Sequence, residues 1–133
     1  AVREFCEPAT HIITNSYGAY LWLLSRIDAA PSSARVLLLS PVMGRAFGRS
    51  KMVSSRPPRL KGLETAIRDK RLSLPRSVSL YTGREDQVCD YASAVSQCEA
   101  LGIKDLHVLD GQKHDLDHSV VEKILATFLS RIN

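Results

Sequence analysis

An α/β fold is what this 133-residue chain predicts: a mostly parallel sheet of about four strands flanked by helices. Three observations carry that expectation. Short apolar runs at His11–Thr14, Arg35–Ser40, Ser77–Thr82 and Asp105–Leu109 alternate with stretches of helical spacing. The run Val36-Leu37-Leu38-Leu39 is continuously apolar, the pattern of a strand buried on both faces. Strands that alternate with helices return parallel to one another, with the helices covering the sheet.

The elements follow in order. Ala1–Glu7 carries charges and no signal-like apolar core. After the first strand, Tyr17, Tyr20, Leu21, Leu24 and Ile27 recur at helical spacing. Gly44–Arg76 breaks the rhythm: Gly44, Gly48, Pro57 and Pro58 mark irregular backbone, and Leu60, Leu63 and Ile67 predict a short helix inside it. Asp90 is placed to cap the next helix, whose face is Tyr91, Ala94, Val95, Cys98 and Leu101, and Gly102 suits its C-terminal end. Val120, Val121, Ile124, Leu125, Phe128, Leu129 and Ile132 form the core stripe of a last helix. Trp22 and Tyr17 read as packing residues, Tyr17 alternatively as a pocket wall. His11 and His107, in strands, read as packed or hydrogen-bonded structural residues. The chain is expected to be one domain, 1–133, with 44–76 as a cap-like insertion.

Composition narrows the function classes. The net charge of +4 is local: ten of the 18 basic residues lie between Arg45 and Arg76, where the acids are Glu64 and Asp69. The basic stretch Arg45–Lys61 reads as a solvated cap that steers anionic substrates. Without interleaved aromatic residues to stack on bases, it speaks against nucleic acid as a partner. No run approaches the length needed to span a membrane. Cys6, Cys89 and Cys98 show no zinc spacing, and their odd count fits a reducing compartment, so the cytoplasm is the expected location. His114 and His118 stand four apart, a spacing that binds metal on a helix, but no third ligand is recognisable and no metal site is expected.

In such sheets the chemistry gathers beyond the carboxyl ends of the strands. Three of those ends hold reactive groups. Thr14-Asn15-Ser16-Tyr17-Gly18 runs from a strand straight into a helix, a turn that projects a serine hydroxyl and favours small neighbours. The helix N-terminus behind it offers N–H groups to developing negative charge, the N–H of Tyr17 among them. Gly83-Arg84-Glu85-Asp86-Gln87-Val88 follows the third strand, and Gly111-Gln112-Lys113-His114-Asp115-Leu116 follows the fourth. A serine becomes a strong nucleophile when a histidine takes its proton and a carboxylate orients that histidine. Glu85 and Asp90 are local rivals of Asp86, and Asp90 fits better as a helix cap. The other readings of Ser16 and His114 are a helix N-cap and a loop histidine capping the last helix.

These three segments resemble the α/β-hydrolase superfamily. Asn15-Ser16-Tyr17-Gly18-Ala19-Tyr20-Leu21 is similar to its nucleophile elbow, and the other two segments to its acid and histidine loops. The resemblance implies a partial α/β-hydrolase fold, its C-terminal half from the elbow onward. It implies Ser16 as nucleophile, Asp86 as orienting acid and His114 as base, with Tyr17 as an oxyanion donor and no cofactor. The implied activity is hydrolysis of an ester or related acyl bond in a small molecule. Two departures from the family pattern have expected consequences. Thr14 stands where the family has glycine, and should crowd the turn. The loop supplying the family's other oxyanion donor precedes the elbow, so the strand 11–14 should be an unpaired apolar edge. A second copy or a complementing chain is the expected partner at that edge. The alternative function is a catalytically silent or truncated scaffold that acts through association.

Overall fold

The computed structural model describes residues 10–43, 46–47, 54–55 and 57–130. Four strands form one sheet: β1 (His11–Asn15), β2 (Arg35–Leu39), β5 (Ser77–Gly83) and β6 (Asp105–Leu109). They lie in the order β1-β2-β5-β6, every neighbouring pair parallel. Four helices connect or follow them: α1 (Tyr17–Ser25), α2 (Leu60–Arg68), α3 (Tyr91–Leu101) and α4 (His118–Ser130). Within 44–76, where the sequence reads only as irregular before its helix, Ala46–Phe47 (β3) pairs antiparallel with Ser54–Ser55 (β4). No helix among the described residues is long and apolar enough to cross a membrane.

The β2 run explains the two-layered core. Successive strand side chains point to opposite faces. Val36 and Leu38 therefore join Ala19, Trp22, Leu23, Leu63, Leu80 and Cys98 on the face covered by α1, α2 and α3. Leu37 and Leu39 join Ile124 and Phe128 of α4 on the other. A strand buried on both faces needs apolar residues at every position, and β2 has them. Asp90 caps α3 by accepting the N–H of Ala92, and Gly102 closes it in the left-handed conformation at φ 74°. Ile132 lies outside the described residues.

The first helix ends earlier than its apolar spacing predicts, at Ser25, because the chain turns there to meet α2. Ile27 makes an antiparallel bridge with Leu72, and the N–H groups of Asp28 and Ser73 reach the carbonyls of Arg71 and Arg26. The buried Arg26 side chain fastens this junction: Nε donates to the Ser73 carbonyl at 2.7 Å and Nη2 to the Ala30 carbonyl at 2.6 Å. Tyr20 adds a hydroxyl bond of 2.6 Å to the Pro58 carbonyl. Arg26→Ala removes two part-buried hydrogen bonds from this junction and should lower unfolding stability by about 1–3 kcal/mol, read as a reduced urea midpoint.

Among the described residues, the β1 edge of the sheet has no further strand beside it. β1 pairs with β2 on one side and ends the sheet on the other. Ile13 is 48% exposed, and on α1 Tyr17 and Leu21, one turn apart, are 41% and 37% exposed. Tyr17 stacks on Tyr20 at 5.5 Å between ring centres, yet stays largely at the surface instead of packing inside. Trp22 is buried, a packing residue as expected, whereas Leu21 of the apolar spacing faces outward.

Candidate active site

The strand ends converge as the parallel register requires. β1 and β2 are in step from His11–Arg35 to Asn15–Leu39, and β2 and β5 from Arg35–Ser77 to Leu39–Tyr81. Ser16, Ser40 and the segment after Gly83 therefore emerge side by side. Ser16 sits between β1 and α1 at φ 54°, ψ −118°, conformational space that non-glycine residues rarely occupy. Its N–H is held by the Leu39 carbonyl at 2.9 Å, and its own carbonyl accepts from Val42 at 3.0 Å. These bonds tie the turn to β2 and the residues after it, and so offset its strain. Its side chain makes no cap to α1, which sets aside the N-cap reading.

Thr14 is accommodated in this turn, and position 18 does not press on it. A Cβ built on Gly18 would lie 3.8 Å from the Thr14 Cβ, ordinary contact, so the turn closes around the branched residue. The Thr14 hydroxyl is buried there without a hydrogen-bond partner.

Ser16 Oγ lies 2.9 Å from His114 Nε2, and His114 Nδ1 lies 2.8 Å from Asp86 Oδ2. The other oxygen of Asp86 accepts the N–H groups of Val88 at 2.8 Å and Cys89 at 2.7 Å. The carboxylate is fully buried and the imidazole mostly so. The rivals of Asp86 point away: Glu85 is exposed, and Asp90 is the cap of α3. The hydrogen bond to Asp86, and after it one to the Cys89 thiol, pushes the His114 imidazole up to about 10, burial opposing them in part. Tyr17 opens α1, so its N–H belongs to the turn that has no intrahelical acceptor.

His114 is positioned by its backbone as well as its ring. Ser40, at the end of β2, donates its hydroxyl to the His114 carbonyl at 2.7 Å. The N–H of Glu85 donates to the Gln112 carbonyl at 2.9 Å, joining the acid and histidine loops directly. This contact dictates glycine at position 83, where a Cβ would stand 2.3 Å from the same Gln112 oxygen. Gly83→Ala should push the two loops apart, lengthen the bond between Asp86 and His114, and cut labelling of Ser16 by serine-directed reagents roughly 100-fold. A folded Gly83→Ala protein that labels at the wild-type rate would refute this account.

Two of these residues escape sequence reasoning. Ser40 had one available signal, its place at the end of the second strand. Cys89 had none, since it meets His114 only across two loops. His114 lies in a turn and His118 opens α4, so their spacing does not place them on one helix. His107 bonds Asp105 at 2.7 Å and stacks on Tyr81, and His11 bonds Thr10 and meets Phe128 edge-on, structural roles both. Of the basic stretch, Arg59 and Lys61 are exposed, and Arg45, Arg49, Lys51 and Arg56 lie outside the described residues.

A cleft of about 710 Å³ opens beside His114, lined by apolar Leu39, Leu116 and Val121 and acidic Asp115, Asp117 and Glu122.

No protein-family model and no curated protein sequence matches the chain. Solved structures do. TT1662 from Thermus thermophilus is similar over 90% of this chain and 52% of its own, at 19% identity and a TM-score of 0.64. The esterase PE8 is similar over 92% of this chain and 50% of its own, at 20% identity and 0.60. The esterase domain of a Rhodothermus marinus protein is similar over 98% of this chain and 66% of its own, at 18% identity and 0.61. The chain thus spans half to two thirds of the length of these proteins, and it carries the α/β-hydrolase fold over part of that fold's extent.

Proposed function

We propose that the protein is a serine hydrolase acting on esters or related acyl bonds of small molecules, carboxylesterase-like in chemistry. One observation carries the reading: an unbroken chain of hydrogen-bond contacts from Ser16 through His114 to a buried carboxylate, at 2.9 and 2.8 Å. In the reaction, Ser16 Oγ forms a bond to the acyl carbon while its proton passes to His114 Nε2. The carbonyl π electrons move to oxygen, where the Tyr17 N–H and the α1 dipole stabilise the charge. The tetrahedral centre then expels the alcohol, which takes the proton from His114. Water repeats the sequence on the acyl-enzyme and frees Ser16. Asp86 fixes the tautomer and supports the imidazolium. No cofactor is called for. Esterase neighbours support the reaction class. The acidic lining of the cleft favours uncharged acyl groups over the anionic ones a basic cap at 44–76 would steer. The free, buried Cys89 and Cys98 favour a reducing, cytoplasmic setting.

The test is intact mass after incubation with a fluorophosphonate. The expected result is a single adduct, absent from Ser16→Ala. A folded wild-type sample that stays unlabelled would sink the proposal.

A second reading, a scaffold acting through association, draws on β1 as the edge strand among the described residues and on the exposed Ile13, Tyr17 and Leu21. It expects a self-associated or partner-bound state. A monodisperse monomer by sedimentation, labelled on Ser16, would leave the hydrolase reading standing alone.

A further inference from the structure

The Cys89 thiol stands where the hydrolase reading gives it no task. It is buried, and its sulfur, a carboxylate oxygen of Asp86 and a ring nitrogen of His114 all lie within 4.8 Å of one another. Tetrahedral zinc bonds of about 2.0–2.3 Å set ligand atoms roughly 3.3–3.8 Å apart, so closing on a cation asks only for small side-chain movements. The three donors are a thiolate, an imidazole and a carboxylate, each an accepted zinc ligand. Two come from the loop after β5 and one from the loop after β6, and the Glu85–Gln112 bond holds those loops together. Asp86 and Cys89 are further fixed by the bond from the Cys89 N–H to Asp86 Oδ1. Partly exposed His114 leaves a way in.

We propose that Asp86, Cys89 and His114 form a three-ligand site for a thiophilic divalent cation of the zinc class, and that its occupation switches the Ser16–His114 pair off. Its inhibitory half rests on the hydrolase reading, whereas the binding half does not. The chemistry balances without a redox step. Starting from the neutral ring with its proton on Nδ1, the cation takes Nδ1 while that proton passes through water to Nε2; the proton of the Cys89 thiol leaves to solvent, and water completes the coordination. A metal on Nδ1 obliges a neutral imidazole to carry its proton on Nε2. That nitrogen faces Ser16 Oγ at 2.9 Å. The group that must accept the serine proton becomes a donor, and the serine stays un-ionised.

Cobalt(II) titration of the purified chain tests binding directly. The expected result is a near-ultraviolet thiolate-to-cobalt band that saturates at one equivalent and is displaced by zinc. In Cys89→Ser, and in Cys89→Ala as a second variant with a different volume, the band should vanish and zinc affinity fall at least roughly 100-fold. No band in folded wild type, or a band that survives in a folded Cys89 variant, overturns the site. Zinc at saturation should also suppress fluorophosphonate labelling of Ser16 at least roughly 100-fold, reversed by chelator. Zinc binding that leaves labelling unchanged overturns the switch while sparing the site. A wild type that is never labelled, with or without zinc, fails the hydrolase reading and with it the switch, and the cobalt band still decides the site.

Discussion

Replacing His114 with alanine is expected to lower kcat/KM for a chromogenic ester roughly 10,000- to 1,000,000-fold. The effect is large because, among the described residues, the serine hydroxyl meets one base, the ring nitrogen at 2.9 Å. Without it the serine proton must pass to water, and Ser16 attacks as a neutral alcohol. The fold should survive the change. Asp86 keeps its two backbone donors from Val88 and Cys89, so the buried carboxylate is not stranded. The Ser40 hydroxyl still reaches the carbonyl of residue 114, because that bond needs no side chain there. Steady-state kinetics beside a thermal melt separates the outcomes. A folded His114→Ala protein within tenfold of wild type would remove His114 from the mechanism.

Asp86→Asn should cost roughly 10,000-fold in kcat and change the pH profile as well. The hydrogen bond to Asp86 is the leading reason that the His114 imidazole is pushed from 6.5 up to about 10. A raised value means that the folded protein holds the proton more tightly than the unfolded chain. The stability this contributes is fully present below 6.5 and is lost as the pH climbs through about 10. Wild type should therefore melt progressively lower across that window, and Asp86→Asn should show a flatter dependence. Activity runs the other way, since the base is the deprotonated ring. The acid limb of kcat/KM should lie above 6.5 in wild type and move down in Asp86→Asn. An acid limb that does not move would separate Asp86 from the titration of His114.

What could be read from the sequence follows from how far apart the cooperating residues lie. Val36–Leu39 announces a strand buried on both faces because every residue is apolar, a purely local signal. Asp90 and Gly102 announce the ends of α3 in the same way, by side-chain chemistry a few residues from the backbone groups they serve. Ser16, Asp86 and His114 are visible because each falls just beyond a strand, and a parallel sheet gathers those ends. Arg26, Ser40 and Cys89 are not, because each acts on a segment brought to it by another element. Arg26 bonds the Ser73 carbonyl near the end of the insertion, and Ser40, after β2, bonds the His114 carbonyl, after β6, across β5. Spacing rules for cysteine look for neighbours along the chain, and the companions of Cys89 include a residue from the next strand's loop. The Thr14 expectation erred for a related reason. Crowding at a turn depends on both flanks, and even a Cβ at position 18 would meet the Thr14 Cβ only at 3.8 Å, ordinary contact.

The order of the three reactive residues along the chain has a consequence during synthesis. Ser16 precedes His114 by 98 residues. At a ribosomal pace of about 5–20 residues per second, the serine leaves the tunnel roughly 5–20 s ahead of its base. Throughout that interval the nascent polypeptide carries an ordinary hydroxyl, inert towards the acyl compounds around it. Docking of β6 beside β5, a pairing of segments far apart along the chain, brings the ring to the serine. If Ser16 is the nucleophile proposed above, arming is thus a late event in biosynthesis, set by the topology.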